Sequence, residues 1–195
     1  MLISCDIVIC YALLTAPIHC GILRLELLVY AGFGGLVMYN IGDKIAYPVH
    51  GAGVVEAIEE RKILGENKRY YVMRMPLNDM EVMIPMENVA QIGVRPIISV
   101  EEVGHVFAIL SADVTKMPQN WNHRYRANMD RIKSGDIFEV AEVVRNLVLR
   151  DREKSLSTGE RKILNNARQI LLSEIILAGN MDEEEASEMI ERVIK

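Results

Sequence analysis

The chain has the pattern of an α+β protein: a small antiparallel β-barrel followed by an all-helical region of about five helices. Three observations predict this. Residues 41–95 alternate short runs rich in Val, Ile and Tyr with Gly, Pro, Asn and Asp, at the spacing of a small barrel. Beyond Pro96 the apolar residues recur at helical period. In that second part four Ser or Asp residues are each followed three positions later by Glu, a signature of helix starts.

Residues 1–37 stand apart. Their only charges are Asp6, Arg24 and Glu26, beside His19, and they hold all three cysteines, Cys5, Cys10 and Cys20. A membrane anchor needs about 20 uninterrupted apolar residues, and Asp6, Pro17, His19, Arg24 and Glu26 break the run. A secretory signal would open with basic residues, which are missing here. The segment is expected to be an apolar extension outside the native fold, such as an upstream misplaced start codon would add. Met38-Tyr39-Asn40-Ile41-Gly42-Asp43 then opens a cysteine-free protein of cytoplasmic character, in which disulfide and Cys-metal chemistry play no part.

The barrel is expected over residues 38–97. Lys44–Tyr47 ends at Pro48, and His50-Gly51-Ala52-Gly53 makes a tight turn into Val54–Ile63. After Gly65-Glu66-Asn67 the chain runs through Arg69–Met75, stops at Pro76, and resumes with Glu81–Ile84 before Pro85. Gly51-Ala52-Gly53 lacks the further glycine of a phosphate-binding loop, and turn geometry accounts for it. Val94–Ile98 around Pro96 is the linker. The helical region, residues 98–195, starts with Ser99 and Glu102 ahead of Val103, Val106, Phe107 and Leu110. A second helix carries Trp121, Tyr125, Met129 and Ile132 and ends at Ser134-Gly135. Asp136 with Glu139 caps a third, striped by Val140, Val143, Val144, Leu147 and Val148. Ser157 with Glu160 caps a fourth, striped by Ile163, Ala167, Ile170, Leu171 and Ile175 and closed by Gly179; Asp182 starts an acidic fifth.

No catalytic constellation is visible. His19, His50, His105 and His123 are far apart, without metal-ligand spacing, and Ser157 and Ser173 lack a nucleophile motif. The chain is not expected to be an enzyme, and neither cofactor nor metal is expected. A binding protein remains.

Charge indicates what it binds. The formal charge of −5 argues against a protein that coats nucleic acid indiscriminately, but does not exclude a local basic face. Residues 119–168 hold 11 Arg and Lys against 7 Asp and Glu. Arg124, Arg126, Arg145, Arg150, Lys154, Arg161, Lys162 and Arg168 are candidates for one face; scattered solubilising charge is the alternative. The same stretch holds the only tryptophan, in Asn120-Trp121-Asn122-His123-Arg124-Tyr125-Arg126. Pro118 and Asn120 are helix-start residues, so Trp121 falls at a first turn, where a side chain can project. Flanked by arginines, the indole can wedge against a base step; the alternative is that it closes a small core.

From Met38 to Lys195 the sequence resembles the CarD family of bacterial transcription regulators. The carriers in the first part are Gly42-Asp43, Tyr47-Pro48 with His50-Gly51-Ala52, Val55–Glu59, Ile84-Pro85 with Glu87-Asn88, and Gly93-Val94-Arg95. In the second they are Asn120-Trp121, Arg124-Tyr125, Ala127-Asn128, Ser134-Gly135-Asp136, Val140–Arg145, Leu156-Ser157 with Gly159-Glu160, and Ala167–Leu171. The resemblance implies a Tudor/SH3-like barrel, shared with the transcription-repair coupling factor, which docks on the RNA polymerase β subunit partly by edge-strand pairing. It implies a helical domain that reaches promoter DNA at the upstream fork of the bubble, where the tryptophan enters the minor groove and stabilises the open complex.

By position, Trp121 is the implied wedge, and Arg124, Arg126 and Arg161 match basic positions near DNA. Arg61 matches an arginine that contacts polymerase. Met83 stands where the family has a second such arginine, and His123 where a neighbouring arginine often lies, which would make that phosphate contact sensitive to pH or remove it. The expected state is a cytoplasmic monomer without membrane contact. The competing reading is an adaptor whose helical half recruits another protein, with Trp121 in its core.

Overall fold

The computed structural model describes residues 38–63, 65–77 and 79–194; the expectations for residues 1–37 lie outside that range. Strands β1 (Lys44–Tyr47), β2 (Gly51–Ile63), β3 (Glu66–Arg74) and β4 (Glu81–Pro85) form an antiparallel meander. A single 3-10 turn (Met86–Asn88), helix α1 (Val89–Ile92) and the two-residue strand β5 (Arg95–Pro96) follow. The sheet order is β4-β3-β2-β1-β5, so among the described residues β4 and β5 are its edges. Then come α2 (Val100–Ser111), α3 (Trp121–Lys133), α4 (Ile137–Glu153), α5 (Thr158–Gly179) and α6 (Glu183–Val193). The fold is α+β, as the sequence pattern implies.

Each part has its own core. Ile45, Val55, Tyr71, Met73 and Ile84 share one side of the sheet and pack with Tyr39, Met75, Val89 and Val94. The helical stripes meet in the larger core, with Val106, Leu110, Ile132, Val144, Leu147, Leu171 and Ile175 fully enclosed. Both serine capping boxes form, at Ser99 with Glu102 and at Ser157 with Glu160. Asp136 caps α4 through the Phe138 amide, but Glu139 turns away and accepts the Ser134 hydroxyl at 2.7 Å. Helix α5 runs through Gly179 and ends on Asn180, whose left-handed conformation closes it.

The expected glycine turn is corrected. The chain reverses at Pro48–His50, and Gly51-Ala52-Gly53 are the first, buried residues of β2. They are small because other groups approach closely. A Cβ on Gly53 would stand 2.5 Å from the Arg74 carbonyl, and one on Gly51 would stand 2.6 Å from Ser173 Oγ of α5. The turn reaches into the helices, so bulk there would separate the two parts.

The stretch expected as a linker is also corrected, because it is built into the fold. Ala46 and Ile45 of β1 pair with Arg95 and Pro96. The Arg95 guanidinium donates to the Glu174 carboxylate of α5 at 2.5 and 3.0 Å and to the Gly135 carbonyl at 3.0 Å. The Ile98 amide donates to the same carboxylate at 3.1 Å, and Glu174 is only 1% exposed. A carboxylate at that depth is tolerated only with a countercharge and donors in place. Lys44 Nζ adds a bond to the Leu177 carbonyl at 2.8 Å, and the Ala52 amide one to Ser173 Oγ at 2.9 Å.

Gly51→Ala is expected to destabilise the protein by more than about 2 kcal/mol, combining a clash with a strained backbone. Gly65→Ala is the control, since that glycine also has positive φ but meets nothing within 4 Å. It should cost about 1 kcal/mol, the backbone strain alone. Urea midpoints of the two variants check the difference.

Candidate nucleic-acid interface

Asn120 starts α3 by accepting the amides of Asn122 and His123 on its side-chain oxygen, at 2.9 and 3.4 Å. Trp121 is therefore the first helical residue, and it is 44% exposed. It is also held. Its Nε1–H donates to Ser157 Oγ at 2.8 Å, and its ring lies 5.5 Å from that of Tyr125, tilted by 37°. Its Cζ2 edge lies over Gly159, where an added Cβ would be 3.3 Å away. Two helix N-termini, those of α3 and α5, thus meet around one indole.

A buried polar network lies behind it. Ser157, the cap of α5, donates its hydroxyl to Glu160 Oε2 at 2.8 Å and accepts the Glu160 amide at 3.3 Å. With the indole N–H as a second donor, that hydroxyl uses its full hydrogen-bonding capacity. Glu160 Oε1 accepts Arg124 Nε at 2.6 Å, and Arg124 Nη1 donates to the carbonyls of Pro118 and Gln119 at 2.9 and 3.1 Å. The bonds return to the residues just before Trp121 and close a ring. Burial pushes the Glu160 carboxyl up, but bonds from Arg124 and from the Ser157 hydroxyl and amide outweigh it. The group titrates below its ordinary value of 4.5.

Arg124 is therefore corrected from DNA contact to interior residue. It is 3% exposed, and its guanidinium is committed to Glu160 and two carbonyls. Arg145 leaves the basic face too, since it is buried and donates to the Ile109 carbonyl at 2.8 Å. Arg126 and His123 are exposed, and Arg126 makes no ion pair among the described residues. Arg161 is exposed and pairs loosely with Asp151 at 3.7 Å. It lies about 160° around α5 from Gly159, on another flank from the indole. The exposed Lys162 lies about 60° from Gly159, and sequence reasoning gave it no individual role.

The other two predicted residues come together on the sheet. Met83 is paired with Val72, and Val72 with Ala57, so these three share a face. Arg61 lies four residues beyond Ala57 in β2 and so points the same way, opposite to the core. It is exposed and bonded to Glu59 at 2.7 Å, while Met83 and Met80 are exposed on the edge strand or just before it. Among the described residues β4 pairs only with β3, so its outer backbone edge is open.

Comparison with known proteins gives the family. Residues 39–98 match the family model "CarD-like/TRCF RID domain", and residues 105–191 match "CarD, C-terminal domain". The chain belongs to the CarD family. YdeB of Bacillus subtilis (strain 168), provisionally named a transcription factor, is 43% identical over 138 residues, covering 71% of this chain and 90% of that protein. The CarD C-terminal match contains Trp121 with its whole supporting network, and the other match contains Arg61 and Met83. Among the described residues no cluster suits a metal ion, and no helix is long and apolar enough to cross a membrane.

Removing the charge of Glu160 tests the network. Glu160→Gln is expected to cost about 3–5 kcal/mol at pH 7, because it leaves the Arg124 guanidinium buried without a countercharge. A carboxyl whose folded pKa is depressed stabilises fully above its ordinary value and loses that contribution as pH falls through the folded pKa. The gap between wild type and variant should therefore be widest near neutrality and close on acidification. Urea unfolding from pH 7 to pH 3 checks this, and a gap independent of pH would contradict it.

Proposed function

We propose that this protein regulates transcription by docking its sheet on the RNA polymerase β subunit and setting Trp121 at the upstream edge of the melted promoter. There the indole enters the minor groove and slows collapse of the open complex. The observation that carries this reading is a lone tryptophan left exposed at a helix start yet fixed by a hydrogen bond. An indole serving only as core would bury more of its ring, since tryptophan is highly buried on average. Family membership supports the polymerase partner, and the open edge of β4 beside Met83 and Arg61 suits strand addition.

Electrostatics suit delivery rather than capture. From Met38 to Lys195 the chain has 21 basic and 25 acidic residues, so free DNA is held weakly. Tethering to polymerase raises the local concentration, and a few exposed cations such as Arg126 then suffice. His123 belongs to the same proposed contact, Arg161 reaches the DNA backbone from another flank of α5, and Arg124 acts from behind the indole.

The test is the lifetime of a promoter open complex with cognate polymerase, alone, with the protein, and with its Trp121→Ala variant. An aromatic wedge contributes about 1–3 kcal/mol, or about 5- to 150-fold in the open-complex equilibrium. The protein is expected to lengthen the lifetime, and the variant to lose most of the gain while still binding polymerase. If wild-type protein binds polymerase and leaves the lifetime unchanged, the wedge reading fails and the adaptor reading replaces it.

A further inference from the structure

The indole is bound along one edge. Its Nε1–H donates to Ser157 Oγ at 2.8 Å, and Cζ2, on the same long edge, faces the backbone of Gly159. Tyr125 lies beside the ring, with 5.5 Å between centroids, and the residue stays 44% exposed. We propose that Ser157 is a positioning residue: its hydroxyl fixes the part-exposed Trp121 ring and occupies its one polar group. The wedge is then purely apolar. The minor-groove edges of A·T and G·C pairs differ mainly in hydrogen-bonding groups, so a ring with no free N–H discriminates poorly between them. Sequence indifference is thus built in by a side chain that does not itself insert.

The capping geometry makes the placement stiff. Ser157 Oγ also donates to the Glu160 carboxylate, which is buried and paired with Arg124, so the hydroxyl cannot rotate without breaking a charged hydrogen bond. Glu160 and Arg124 act through Ser157 in this scheme. The inference rests on the wedge reading of Trp121 and adds which group orients it.

Ser157→Gly separates this role from helix capping, because glycine is nearly as good an N-cap but has no hydroxyl, and Ser157→Thr retains the hydroxyl. Trp121 is the only tryptophan from which fluorescence arises, so its order is read directly. In Ser157→Gly, acrylamide quenching should rise and anisotropy fall, and the open-complex lifetime should shorten by about 3- to 10-fold, the worth of one such bond. Ser157→Thr should restore both. In a Trp121→Ala background, Ser157→Gly should have no further effect on lifetime. With the upstream-edge base pair changed from A·T to G·C, wild type should respond little and Ser157→Gly more. Three outcomes overturn the proposal while leaving the wedge reading intact: a wild-type lifetime in Ser157→Gly, an equal loss in the Trp121→Ala background, or equal base-pair response in wild type and Ser157→Gly. If Trp121→Ala itself keeps the full lifetime, the wedge reading fails and the proposal with it.

Discussion

The fold depends on a carboxylate with almost no access to water. Glu174 sits in the middle of the contact between sheet and helices, and Arg95, the Ile98 amide and the Gly135 backbone assemble around it. Without those partners it would be an uncompensated buried charge, which the interior tolerates poorly. Paired, it joins β5, the turn before α4 and the C-terminal part of α5. The resulting rigidity has a functional meaning. From Glu174 to Glu160 is 14 residues of one uninterrupted helix, or about 21 Å at 1.5 Å per residue. A sheet fixed at one end of α5 and an indole fixed at the other cannot move independently of that rod.

Both ends of α5 use the same chemistry. Glu160 and Glu174 are buried acids, each paired with an arginine from another element and each accepting a backbone amide. Such pairs contribute little net stability compared with apolar packing, but they restrict the alternatives, because a shifted helix would leave a charge unpaired. That suits the placement role proposed for Trp121. The apolar cores would tolerate small slides of helix on helix, and the acid pairs would not.

The chain's order of strands and helices was legible because it rests on local signals: proline stops, capping residues and apolar period. Trp121 at the first turn of α3 was legible for the same reason, since Asn120 is a cap by chemistry and not by context. What was hidden depended on packing between distant segments. Arg124 looks like a surface cation beside an exposed tryptophan, but it is three positions further around the helix and meets Glu160, 36 residues away. Arg145 was hidden likewise. Arg95 sits beside Pro96 in a stretch that looks like a linker, and only the position of Glu174 across the interface makes it a strut. The pairing of Ser157 with the indole was hidden too, since a capping box accounts for that serine completely in the sequence.

An exposed indole is costly in water, and ordering it beforehand changes where that cost falls. A free side chain entering a groove gives up rotamer freedom at about 0.5–1.5 kcal/mol, taken from the binding energy. Trp121 has given it up on folding, through the bond to Ser157 and the contact with Tyr125. Against a wedge worth about 1–3 kcal/mol, that saving is a large fraction of the whole effect. Tethering and ordering therefore act on the same small quantity from two sides. In the proposed mechanism the first removes most of the translational cost of reaching the DNA, and the second the conformational cost of the residue that would enter it. For the proposed wedge both matter, because an acidic protein with few exposed cations has little phosphate attraction to supply the difference.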